Sequence, residues 1–226
     1  MAKSAKRINA AYKDIDRTKL YSLDEAIKIL KNSPKAKFNE SVDLSFDLNV
    51  DPKKSDQMIR GTVVLPHGTG KTIKIAVFCK GEIEKQAKQA GADYIGAEDL
   101  IEKVNKGFLG FDCAIATPDL MKDVSKLGKV LGPRNLMPSP KTGTVTMNIA
   151  GAIQEFKKGK VEFKLDKQAD IHVSVGKISF GEEKLNENAK SIIDAVIASR
   201  PQSVKGNFIK SASISTTMGP GLKLLL

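Results

Sequence analysis

Between residues 42 and 50 the chain alternates strictly: Val42, Leu44, Phe46, Leu48 and Val50 are apolar, while Asp43, Ser45, Asp47 and Asn49 are polar. A period of two predicts a strand with one face on a core and the other in water. The same period returns near the far end, in FIKSASISTTMGPG (208–221). There Ser211, Ser213 and Ser215 alternate with Ala212, Ile214 and Thr216 before a break at Gly219, Pro220 and Gly221. A strand this close to a terminus is ordered only within a sheet, and 42–50 is its best partner. The two chain ends are therefore expected to share one domain. Two further period-two runs fit that domain, Val161, Phe163 and Leu165, then Ile171, Val173 and Val175. Its helices are read from a capping box, Ser22 and Glu25, ahead of Leu23, Ala26, Ile27 and Leu30, and from an amphipathic stretch over 182–199 that halts at Arg200-Pro201.

From Thr72 the grammar changes. TIKIAVFC and FDCAIATP are nearly continuous apolar runs, and between them lie GEIEKQAKQAGAD, DYIG and AEDLIEKVNKG, which read as helix, short strand and helix. Alternation of this kind predicts a parallel sheet covered by helices. Ile149 to Phe156 adds another helix. The expected architecture is α/β: a two-layer α+β domain from residues 1–67 and 160–226, interrupted by a Rossmann-like three-layer α/β insert at 68–159. Pro66, Gly68 and Gly70 form one linker and KKGK (157–160), with Gly159 as its breaker, the other.

Composition adds a class of partner only through charge. The 226 residues are 41% hydrophobic and 28% charged, an ordinary globular balance. No apolar run approaches the roughly eighteen residues of a membrane span, and MAKSAKRINAAYK lacks the apolar centre of a signal peptide, so a cytoplasmic protein is expected. Cys79 and Cys113 lie inside apolar runs, which predicts buried reduced thiols rather than a disulfide or a metal site. The net charge of +11 and the pI near 9.5 favour polyanions, nucleic acid first among them. Aromatics make up 5% and Trp is absent, which argues against a base-stacking platform and for contact through backbone, sugar and shape. Positive charge is spread over both candidate domains, so local chemistry must locate the site.

Several stretches carry candidate chemistry. Lys3, Lys6, Arg7 and Lys13 surround Ile8, Ala10 and Ala11, a short basic helix or a solvated arm. Phe38, between Lys37 and Asn39, either seals the core, the expected side, or presents a ring beside a basic group. PHGTGKT suggests a phosphate loop, since Gly70, Lys71 and Thr72 match. Leu65 occupies the first glycine position, however, and a strand follows where a helix is needed. A dinucleotide site would need G-x-G-x-x-G after the first strand, and CKGEIEKQ offers Gly81 alone. GKVLGPRNLMPSPKTG (128–143) reads as a proline-stiffened loop on which Lys129, Arg134 and Lys141 either hold a phosphate backbone or face solvent.

The motifs STTMGP (215–220), KFNES (37–41), RGTVVLPHGTGK (60–71), GAD (91–93), ATPD (116–119), LGPRNLMPSPKTGTV (131–145) and IHVSVGKISF (171–180) give the chain a close resemblance to the bacterial family of large-subunit ribosomal protein one. The resemblance spans nearly the whole chain. It implies a non-enzymatic protein with no cofactor or metal, monomeric when free of the ribosome. Its partners would be large-subunit ribosomal RNA in the mobile stalk, exit-site tRNA whose release it assists, and the messenger RNA of its own operon, which it represses. The family's RNA-contacting positions fall on Lys37, Phe38, Ser41, Asp166, Lys167, His172, Ser211, Thr216, Thr217, Met218 and Gly219. Hydroxyls on a strand edge suit 2′-OH groups and phosphates, and Gly219 would let a sugar-phosphate backbone approach. Asp166 either accepts from a 2′-OH or fixes Lys167. Pro66, Gly68, Gly70 and Gly159 would form a hinge, opening rather than twisting because two strands of chain cross it.

Overall fold

The computed structural model describes residues 6–12, 15–34, 36–204 and 206–225. In chain order the elements are α1 (Lys6–Ala11), α2 (Leu23–Asn32), β1 (Ser41–Leu48), β2 (Arg60–Val64), β3 (Ile75–Phe78), α3 (Glu82–Gln89), β4 (Tyr94–Gly96), α4 (Glu98–Asn105) and β5 (Cys113–Ala116). They continue with α5 (Met121–Ser125), α6 (Gly128–Leu131), α7 (Ile149–Lys158), β6 (Lys160–Lys164), β7 (Asp170–Lys177), α8 (Glu182–Ala198), β8 (Ile209–Thr216) and β9 (Gly221–Leu224). The chain divides into two compact units, Met1–Gly70 with Val161–Leu226, and Lys71–Lys160.

The terminal unit is built on a four-stranded sheet in the order β7–β1–β8–β9. All its pairings are antiparallel, and β1 lies between β7 and β8, so the strands predicted at the two chain ends do pair. Val42, Leu44, Phe46 and Leu48 turn to the core with Ile171, Val173, Ala212, Ile214, Leu222 and Leu224. Against them pack Ala26, Ile27 and Leu30 of α2 and Leu185, Ala189, Ile192 and Val196 of α8. Ser22 caps α2 as its sequence predicts, its hydroxyl accepting from the Glu25 amide at 3.3 Å while the Glu25 carboxylate accepts from the Ser22 amide at 3.4 Å. One face of the sheet is thus covered by helices; the other is polar.

The second unit places β3 at the centre of a parallel sheet, β4–β3–β5. Ala76 and Phe78 face Leu100, Val104, Val124 and Leu131, while Ile75 and Val77 face Ala87, Ile153 and Phe156. Helices therefore cover both sides, making three layers. Cys79 is buried and Cys113 half-buried, and they form no disulfide. Burial, and behind it the charge of Glu84, push the Cys79 thiol up to about 11.

Several expectations are corrected. The break at Gly219, Pro220 and Gly221 does not end the sheet: Leu222 and Leu224 turn inward from a fourth, edge strand that the sequence did not suggest. Residues 128–143 contain helix α6 and two 3₁₀ turns, with Asn135 and Gly143 left-handed at their ends, because the prolines stand at first-turn positions where the missing N–H costs nothing. Phe38 is 53% exposed rather than sealed in the core. Among the N-terminal basic residues Lys6 and Arg7 lie on α1; Lys3 and Lys13 are outside the described residues. At the suspected phosphate loop Lys71 pairs with Asp112, and β3 follows. Among the described residues no helix is long and apolar enough to cross a membrane.

Candidate nucleic-acid interface

The polar face of the four-stranded sheet is a grid set by strand register. One row crosses all four strands, His172, Ser45, Ser213 and Lys223; the next is Ser174, Asp43, Ser215 and Gly221; a third joins Asp170, Asp47 and Ser211. These side chains are half-buried or exposed because their strand neighbours take the core positions. His172 Nδ1 lies 2.9 Å from Ser45 Oγ. A bulge between Asp47 and Leu48 leaves Lys210 out of register, and its ammonium reaches Asp47 at 3.3 Å. The grid offers hydroxyls, carboxylates and the His172 imidazole, with lysines at its margins and no Phe, Tyr or Trp. It can exchange hydrogen bonds with riboses and bases, and its lysines can meet phosphates.

At one end of the grid the loop before β1 meets the turn after β8. The Thr217 amide donates to Ser41 O at 3.0 Å, and the Ser41 amide donates to Thr217 Oγ1 at 3.0 Å. Lys177 Nζ donates to Ser41 Oγ at 2.8 Å. Lys37, Phe38, Thr217 and Met218 are exposed around this junction, Met218 at 50%. Phe38 and Met218 thus leave apolar surface in the open beside hydroxyls and a lysine, of a kind suited to packing on a flat partner. Thr216, by contrast, is buried, and a Cβ on Gly219 would come 2.0 Å from Thr216 Oγ1. Gly219 is therefore required by its own turn, a reason the sequence did not suggest.

Beneath this end lies a carboxylate that sequence reasoning missed. Glu40 is 2% exposed; its Oε1 accepts from the Ala36 amide at 2.8 Å and its Oε2 from the Met218 amide at 3.1 Å. Burial alone would raise its pKa. The Thr216 hydroxyl, the two amides and the Arg7 guanidinium outweigh burial and hold it below the usual carboxylate value. Arg7 Nη1 lies 3.8 Å from Glu40 and 2.9 Å from Pro34 O, and Nη2 donates to Met218 O at 2.5 Å. Nothing in KFNES marks Glu40 as buried, since strand alternation begins one residue later.

At the opposite end Asp166 closes the β6–β7 turn. Its Oδ1 accepts from the Gln168 amide at 2.7 Å and the Asp170 amide at 2.9 Å, and the Asp170 bond leads the causes that lower its pKa. Lys167 is exposed beside it. Ligand atoms of Asp166, Asp170 and His172 lie within 4.8 Å of one another, but Asp166 and His172 already serve the turn and Ser45. The predicted residues thus gather on one sheet, in two groups at its ends joined by His172 and Ser211 on its polar face.

The remaining candidates stand elsewhere. Lys129, Arg134 and Lys141 are exposed in the second unit. Gly68 and Gly70 are left-handed, with φ of 66° and 70°; Asn188 Nδ2 donates to Gly68 O at 3.0 Å, and the Phe180 ring fills the space a side chain at Gly70 would need. Pro66 is exposed at the start of the same segment, and Gly159, at φ 109°, ends α7.

Comparison with known proteins identifies the family. Residues 29–220 match the family described as ribosomal protein L1p/L10e. Over 225 residues the chain is 56% identical to the large ribosomal subunit protein uL1 of Fervidobacterium nodosum, covering 99% of this chain and 96% of that one. It is 54% identical over 224 residues to the protein of that name from Solidesulfovibrio magneticus, covering 99% and 95%. The counterpart from Thermosipho melanesiensis is 55% identical over 225 residues, covering 99% and 97%. A match over most of its length, on a fold of this class, means that the chain belongs to the ribosomal protein L1p/L10e family.

Proposed function

We propose that the protein is a structural constituent of the large ribosomal subunit, not an enzyme, and that it binds large-subunit ribosomal RNA through the polar sheet face and the Ser41–Thr217 junction. The observation that carries this reading is the exposed junction itself, where Lys37, Phe38, Ser41, Thr217 and Met218 surround a hydrogen-bonded closure on a rigid sheet. Relatives named as large ribosomal subunit proteins support the assignment. Met218 packs on sugar or base, Ser211 and Thr217 bond to ribose or phosphate, and Lys37 and Lys167 neutralise phosphates.

The finer reading follows the family. The protein lies in the mobile stalk, assists the release of exit-site tRNA, and represses its own operon by binding a similar RNA structure in the messenger. It is a monomer when free. Residues 1–67 and 160–226 hold the RNA, with Lys129, Arg134 and Lys141 of the insert at 68–159 as secondary contacts. The insert swings on the segments marked by Pro66, Gly68, Gly70 and Gly159.

Titration of a stalk RNA fragment with Thr217→Val and Met218→Asp tests the core of the proposal. Each is expected to weaken binding by about 1–3 kcal/mol while the protein stays folded. Wild-type affinity in both variants would place the site elsewhere. Competition between stalk and operon RNA tests the repressor role, and equal small-angle scattering curves with and without RNA would count against the hinge.

A further inference from the structure

The two halves of the proposed edge come from chain segments nearly 180 residues apart, and a single buried side chain touches both. Glu40 Oε1 serves the Ala36 amide, ahead of Lys37 and Phe38; Oε2 serves the Met218 amide; the Thr216 hydroxyl donates to the same carboxylate. Its carbonyl oxygen accepts from the Ile178 amide at 2.9 Å, which ties in the loop after β7, and Asn39 Nδ2 reaches Ser179 Oγ in that loop at 3.0 Å. Three loops at one end of the sheet therefore share this one residue. The core does not need a charge there: the burial of an ion is costly and tolerated when several donors compensate it. An ionised carboxylate offers acceptors only, and here it meets donors that point from both loops.

We infer that Glu40 is the positioning residue of the RNA-contacting edge, setting Phe38 and Met218 at a fixed separation without touching RNA itself. The inference rests on the RNA-binding reading above. It also reassigns Thr216: being buried, Thr216 acts through Glu40 and is not a contact residue.

The test uses the full chain and a stalk RNA fragment, well below the temperature of unfolding. Glu40→Gln keeps the shape but turns an NH₂ toward an N–H, so one loop loses its anchor. Its affinity is expected to fall about tenfold, with an unchanged dependence on salt because no phosphate contact is removed. Combined with Thr217→Val, the loss should be smaller than the product of the single losses, since both act on one turn. Should Glu40→Gln fold poorly, Thr216→Val removes a single donor and should weaken binding several-fold, with Thr216→Ser restoring it. Wild-type binding by Glu40→Gln while Thr217→Val is weakened, or a multiplicative double variant, overturns the inference alone. Wild-type binding by both Thr217→Val and Met218→Asp overturns the edge, and the inference with it.

Discussion

The parallel sheet of the second unit is buried on both faces, whereas the antiparallel sheet of the terminal unit is buried on one. The contrast can be read in adjacent residues. On β3, Val77 and Phe78 point to opposite faces and both are fully enclosed. On β1, Phe46 is fully enclosed and its neighbour Ser45 faces out toward His172. A sheet with both faces committed to packing has no surface left for a polymeric ligand. The half-covered sheet keeps a rigid backing and a free polar face, which is what a large, flat partner requires.

The sharpest way to break the comparison is to truncate the enclosed residues of each strand. Phe78→Ala and Phe46→Ala should each cost about 3–5 kcal/mol by denaturant titration, and Val77→Ala about 2 kcal/mol or more. A near-neutral Val77→Ala would mean that the parallel sheet is not closed on both sides. The next effect is one of pH. Cys79 is buried directly after β3, with its thiol raised to about 11 from an ordinary 9.0. The folded state therefore holds the proton more tightly, so this contribution is complete below pH 9 and fades as pH climbs through 11. Thermal melts from pH 8 to 11 should show wild type losing about 2–3 kcal/mol relative to Cys79→Ala across that window. Parallel curves would show that the thiol is not shielded.

Gly219→Ala comes third. The new methyl group would stand 2.0 Å from Thr216 Oγ1, so the turn must shift, at a cost of about 1–3 kcal/mol in stability. RNA binding should fall with it, because the displaced turn carries Met218. A variant that binds and melts like wild type would show that the turn has room to relax.

Much of this was legible in the chain. Strand β1 and its partner β8 could be read because one face must be apolar and the other wet, which writes a period of two into the residues. The closed sheet was legible for the opposite reason, since strands buried on both faces are continuously apolar. Edge strand β9 was hidden because four residues after a glycine-proline break carry too little pattern. Phe38 was misplaced because a lone aromatic in a loop has no period to say which way it turns. Glu40 could not be found at all: a charge is buried only when donors converge on it, and two of those donors, Met218 and Thr216, lie far away in sequence. The proposed contact residues were reached through resemblance to a family, not through periodicity.

The smallest effect is the one that tests the open face most directly. Ser45 and Ser213 sit side by side in the row between His172 and Lys223, with hydroxyls on the wet side of strands whose other side is core. Removing either hydroxyl creates no cavity and leaves no buried partner, so Ser45→Ala and Ser213→Ala should change stability by less than about 0.5 kcal/mol. If the face meets RNA, each should still weaken binding by about 0.5–1.5 kcal/mol, the worth of one neutral hydrogen bond. A loss of affinity without a loss of stability is the signature of a contact surface; the reverse pattern would make the face structural and confine the interface to the Ser41–Thr217 end.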